Sequence, residues 1–126
     1  MLIPYICGKP FCVLSLDCSL LFYCGYALFS DDVNELKALK KVFQSEIFWF
    51  YIIKTSKQYS KGYMSLAKNY LVDFGLPDLS RKQIDIINEL NTENSINDYL
   101  YSLYGCDKQV IQNAIRNWKN TNDYLK

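Results

Sequence analysis

Hydrophobic and polar positions give the chain three successive textures. In the first thirty residues, short apolar or aromatic runs at 2–6, 11–16 and 20–29 are separated by Gly8, Lys9, Pro10, Asp17 and Ser19. Runs of that length between turn-forming residues predict strands, with Gly25 marking a bulge or a break in the third. The period then lengthens. Val33, Leu36, Leu39, Lys40 and Phe43 recur at helical spacing behind the capping side chains of Ser30, Asp31 and Asp32, which predicts a helix over 32–43. Ser45 heads a second helix through Ile47, Phe48, Phe50, Tyr51, Ile52 and Ile53, apolar around nearly its whole circumference and therefore largely buried.

Past Ile53 the texture turns polar. Lys54, Thr55, Ser56 and Lys57 leave the buried helix as a polar tip tethered to a rigid base, Gly62 permits a turn, and 63–66 with 70–74 read as two short strands or one bent one ending at Gly75 and Pro77. From Ser80 helical signals return: Ser80 with Gln83 forms a capping-box pattern, and Ile84, Ile87 and Leu90 make one face. A further helix is expected over 95–104, closed by Gly105, and Asp107 caps the last, whose inward stripe is Val110, Ile111, Ala114, Ile115 and Trp118. The expected fold is α+β: N-terminal short antiparallel strands and a central strand pair packed on helices, with a C-terminal helical segment. At 126 residues this is one domain, with a mixed part over 1–79 and a helical part over 80–126.

Charge changes the picture more than composition does. Half the residues are apolar and 21% are charged, which excludes wholesale disorder, and the net charge is only +1. That figure conceals a division: 1–46 sums to −1, 47–72 to +4 and 73–126 to −2. The central stretch holds Lys54, Lys57, Lys61 and Lys68 without an acid, interleaved with Trp49, Tyr51, Tyr59, Tyr63 and Tyr70. Lysines on an exposed face often serve only solubility; beside rings and hydroxyls they also attract a polyanion, and nucleic acid is the first partner to test.

The catalytic inventory is thin. With no histidine, the Ser-His and Cys-His nucleophile pairs are excluded, and no glycine-rich phosphate loop is present. Asp31 and Asp32, the paired carboxylates, read as helix caps, so a non-enzyme without cofactor or metal is expected. Cys7, Cys12, Cys18, Cys24 and Cys106 form an odd set with no C-x-x-C pair, and the first four lie in the apolar, strand-like N-terminal part. Reduced, buried thiols in a cytoplasmic protein are expected rather than a zinc site. The apolar stretch over 10–30 carries Asp17 centrally and is interrupted by Gly25, so neither a membrane span nor a signal peptide is expected.

Against this background, F-Q-S-E-I-F-W-F-Y-I-I-K-T-S at 43–56 and G-Y-M-S-L-A-K-N-Y-L-V-D-F-G-L-P at 62–77 resemble the C-terminal target-recognition region of bacterial adenine-specific DNA methyltransferases, the TaqI-like specificity domain. The pattern there is roughly L-N-S-x-L-x-x-F-Y, a polar tip, G-G-Y-x-x-L-x-K and a closing P-I-P. I-P-Y-I at 3–6, G-Y-A-L-F-S-D-D at 25–32 and the L-Y-G of 103–105 also look like that family. Phe43-Gln44-Ser45, Lys61-Gly62 and Gly75-Leu76-Pro77 depart from its Leu-Asn-Ser, double glycine and Pro-Ile-Pro.

The resemblance implies a non-catalytic DNA-recognition domain of a restriction-modification system, either part of a longer polypeptide or a separate specificity subunit. S-adenosylmethionine would bind only a methyltransferase domain whose cofactor loop and N-P-P-Y motif are absent from this sequence. Expected partners are double-stranded DNA and a methyltransferase or restriction domain or subunit, with no membrane. In that mechanism Lys54, Lys57, Lys61 and Lys68 neutralise phosphates, while Thr55, Ser56, Gln58, Ser60, Tyr63, Ser65 and Asn69 supply groups for base edges beside Tyr59. Trp49 is either core or a DNA-contacting ring. The alternative function is a protein-interaction module docking through its aromatic surface and apolar residues of the last helix, such as Ile115 or Trp118.

Overall fold

Five of the helices begin where a side-chain oxygen meets free backbone N–H groups. In the computed structural model, which describes residues 1–21 and 24–122, Asp32 accepts from the Asn34 and Glu35 N–H at the head of α1 (Val33–Phe43), and Ser45 accepts from Phe48 N–H at α2 (Glu46–Thr55). The order so far is β1 (Leu2–Ile3), β2 (Ile6–Cys7), β3 (Tyr26–Ala27), α1 and α2, followed by β4 (Gln58–Ser60), β5 (Tyr63–Ser65) and the single turn α3 (Lys68–Leu71). Ser80 and Gln83 form the expected capping box on α4 (Arg81–Glu89), and Asp107 caps α6 (Lys108–Thr121). Between them α5 (Glu93–Tyr104) starts two residues ahead of the sequence expectation, capped by Thr92, which forms its own box with Ser95. It ends on Gly105 at φ +66°, a left-handed cap that glycine enters without a Cβ penalty.

The fold is α+β as expected, with two small antiparallel sheets: β1 pairs with β3, and β2 pairs with β5, which pairs with β4. The N-terminal segment therefore feeds both sheets, and Ile6–Cys7 runs along Ser65–Met64, tying the chain's start to its centre. Helix α2 is the hub, packed by α1, α5, α6 and β5, with Ile47, Phe48, Trp49 and Ile52 buried; α1 also packs on α4. Phe74 reaches back into this core, its ring against those of Phe43, Phe48 and Tyr51. Lys41 fastens α1 to the end of α4, its ammonium donating to the carbonyls of Ile87, Asn88 and Leu90 at 3.0, 3.0 and 2.6 Å.

Several strand expectations fail for want of partners. The 11–16 run forms only a bridge from Val13 to Leu2, because β1 is two residues long and its other side is taken by β3; in the 20–29 run only Tyr26–Ala27 pairs, with residues 22 and 23 outside the described set. Gly25 does mark a break there, at φ +124°, where a Cβ would stand 2.4 Å from the Ile3 carbonyl oxygen. The 70–74 run is no strand: Tyr70 and Leu71 belong to α3, whose turn lets the Tyr51 hydroxyl donate to the Tyr70 carbonyl at 2.7 Å. The central strand pair is instead β4 with β5, so the polar tip itself is a hairpin. Among the cysteines, Cys7 and Cys12 are buried thiols, while Cys18, Cys24 and Cys106 are exposed; all five are free.

Candidate nucleic-acid interface

Ser56 turns the chain from the buried helix α2 into the exposed hairpin. Its N–H still closes the last turn of α2 on the Ile52 carbonyl (2.9 Å), while its hydroxyl donates to the Ser65 carbonyl on the far strand. Thr55 Oγ1 donates back to the Tyr51 carbonyl at 2.7 Å, and Ser65 Oγ accepts from the Ala67 N–H at 3.3 Å. Of the three hydroxyls Ser56 alone bridges to the far strand, the Thr55 bond lying within α2 and the Ser65 bond within a local turn. Lys61 and Gly62 make the tip, Gly62 at φ +77°. Behind it Gly8 approaches so closely that a Cβ would lie 2.9 Å from the Gly62 carbonyl oxygen.

The charged and aromatic candidates face outward. Lys54, Lys57, Lys61, Lys68 and Asn69 are exposed, Tyr59 is 70% and Tyr63 42% exposed. Lys54 lies over the Phe50 ring at 5.9 Å from its centre, and the Lys68 N–H donates to the Tyr26 hydroxyl at 2.9 Å, holding α3 against β3. The candidates thus form two groups: Lys57, Tyr59, Lys61 and Tyr63 on the hairpin, Lys68 and Asn69 on the turn after it. Trp49 is buried at 2% exposure, edge-on to Trp118 at 5.4 Å, and belongs to the core.

Sequence reading missed the residue that sets the hairpin's direction. Asn122, at the end of α6, accepts through Oδ1 from Gln58 Nε2 at 2.6 Å and from the Gly62 N–H at 3.4 Å, and donates through Nδ2 to the Trp118 carbonyl at 2.8 Å. Its only local signal is an asparagine at a helix end, which says nothing of a partner sixty residues away. Between α2, the hairpin and α6 lies an open cleft of about 570 Å³, with Lys54 and Gln58 among its walls and Asn113, Asn117 and Trp118 along the α6 side.

A second surface was also unforeseen. Ile115 is buried and Trp118 half-buried against Trp49, so the last helix does not present them for docking. Exposed apolar side chains gather instead along the N-terminal segment: Phe11, Leu16 (67%), Leu21 (92%) and Phe29 (89%).

The chemistry of the hairpin surface is that of cation and hydrogen-bond donor groups on a short rigid projection. No helix among the described residues is long and apolar enough to cross a membrane. Compared with known proteins, the chain matches no family model, no curated protein and no solved structure.

Proposed function

We propose that this chain is a non-catalytic DNA-recognition domain that places duplex DNA for a methyltransferase or restriction activity carried elsewhere. The observation that supports the reading best is the hairpin: an acid-free run of sequence projects Lys57, Tyr59, Lys61 and Tyr63 from a base fixed to the buried helix α2. Cations on a projection meet phosphates first, and the rings and hydroxyls beside them are suited to sugar and base edges. Any S-adenosylmethionine chemistry belongs to the partner, whose cofactor loop this sequence lacks. The test is titration of a labelled duplex against the chain at low and moderate salt. Engagement of three or four phosphates gives a log–log salt slope of about −3, and Lys57→Ala with Lys61→Ala lowers both the affinity and the slope.

A second reading rests on the exposed apolar residues of 11–29. Phe11, Leu16, Leu21 and Phe29 offer the surface expected of a segment that docks onto a methyltransferase or restriction subunit. Leu16→Ser with Leu21→Ser leaves DNA affinity unchanged under this reading and abolishes co-purification with the methyltransferase or restriction subunit. Retained co-purification would remove it.

A further inference from the structure

The outward face of α6 is chemically unlike those of the two helices before it. Gln109, Asn113, Arg116, Asn117 and Asn120 are spaced i, i+4, i+7, i+8 and i+11, which gathers them on one side of the helix, opposite the buried Ile111 and Ile115. All five side chains are exposed, and each ends in a planar amide or guanidinium. The exposed face of α4 mixes Arg81 and Lys82 with Asp85 and Glu89, and that of α5 carries Glu93 and Asp98. No acid occurs from 108 to 121, where Lys108, Arg116 and Lys119 supply three cations. Neighbouring carboxylates are engaged: Asp107 caps the helix through the Gln109 and Val110 N–H groups, Asp98 pairs with Lys108 at 2.8 Å, and Glu46 accepts from the Tyr101 hydroxyl and from Gln112 Nε2 at 3.3 Å.

An ordinary solvated face alternates charge sign. Asn and Gln amides pair bidentately with adenine edges and Arg with guanine, so a stripe made of these three types without a carboxylate complements the groove of a duplex. Arg116 Nη1 donates to Asn113 Oδ1 at 3.2 Å, which restrains both groups at neighbouring positions. The fourteen residues of α6 span about 21 Å in length, and an α-helix, about 10–12 Å across with its side chains, fits the DNA major groove. Its end is bonded to the lysine hairpin through Asn122, which places the hairpin beside the end of α6.

We infer that α6 is a groove-reading helix, with Asn113, Arg116 and Asn117 contacting base edges in the major groove while the hairpin lysines hold the adjoining phosphates. This inference rests on the DNA-binding reading but assigns sequence discrimination to the C-terminal helix rather than to the hairpin. It is tested by selecting from a pool of duplexes with a randomised centre, using the full chain and an Asn113→Ala, Asn117→Ala variant whose fold is checked by thermal melting. Both positions are exposed, so the variant folds.

The expected result is a motif enriched by the native chain and lost by the variant, with discrimination falling about tenfold or more at the affected base pairs while affinity for the unselected pool persists. A variant that keeps the motif overturns the role of α6 and leaves the DNA-binding reading intact. Binding by the native chain without any enriched motif, or equal binding of single strands, does the same. Failure of the native chain to bind any duplex overturns both.

Discussion

Helix α2 and the β4–β5 hairpin are consecutive in sequence and opposite in character. Over 46–55 the chain is wrapped by α1, α5, α6 and β5, with Phe48 and Ile52 at 1% and 0% exposure; over 57–61 every residue is exposed. The boundary is one residue wide, at Ser56, whose N–H belongs to the helix and whose hydroxyl belongs to the hairpin. What the contrast teaches is a division of labour: stability resides in α2 and its neighbours, and the hairpin contributes little to it while being held rigidly by it. Substitutions on the two sides of Ser56 should therefore have nearly opposite signatures.

The largest effect is expected inside. Ile52→Ala removes a fully buried side chain at the centre of the helical hub and should cost about 2–5 kcal/mol in denaturant-induced unfolding. Next comes the junction of α1 with α4. Lys41→Met strips a cation from three terminal carbonyls and should cost about 1–2 kcal/mol, detected as a lowered unfolding midpoint. Burial depresses the Lys41 ammonium from its ordinary value.

Acid–base behaviour sharpens the interior side of the contrast. Burial pushes the Cys7 and Cys12 thiols up to about 11 from an ordinary 9.0. A thiol raised in the folded state stays protonated while the unfolded chain ionises, so its stabilisation is complete below pH 9 and disappears as pH rises to about 11. Unfolding followed from pH 8 to 11 should show that decline, and Cys7→Ala with Cys12→Ala should flatten it. At the acid end, the Glu35 and Asn34 N–H groups and Arg81 hold the Asp32 carboxylate below its ordinary 3.8, so its capping contribution persists above that value and is lost as pH falls through the depressed one.

The hairpin gives the smallest stability effects. Gly8→Ala forces a Cβ toward the Gly62 carbonyl and should shift the tip, lowering DNA affinity with a stability loss of about 1 kcal/mol. Lys57→Ala with Lys61→Ala should change stability by less than about 1 kcal/mol.

The same boundary divides what was legible in the sequence from what was not. Helices announced themselves through local signals: Asp32, Ser45, Ser80 and Asp107 stand where a cap is needed, and the apolar spacing behind them is their packing face. The hairpin did not, because Gln58, Tyr59 and Ser60 lack the alternation of a half-buried strand; they pair because β5 is already fixed by β2, more than fifty residues away. The run at 70–74 misled for the converse reason. Its aromatic and β-branched residues have strand propensity, but docking Phe74 among Phe43, Phe48 and Tyr51 requires a compact turn. Of the interface, the lysines were visible as charge, whereas Asn122 and the α6 stripe acquire meaning only once the chain's end lies against its middle.

The central claim is that the hairpin meets the DNA backbone, and it is tested most directly by measuring duplex affinity across a salt series for the native chain and the Lys57→Ala, Lys61→Ala variant. The account predicts a slope near −3 for the native chain, reduced by about 2 in the variant, with both proteins unfolding at the same midpoint. Undetectable binding at low salt, or a slope indifferent to the loss of both lysines, would contradict it.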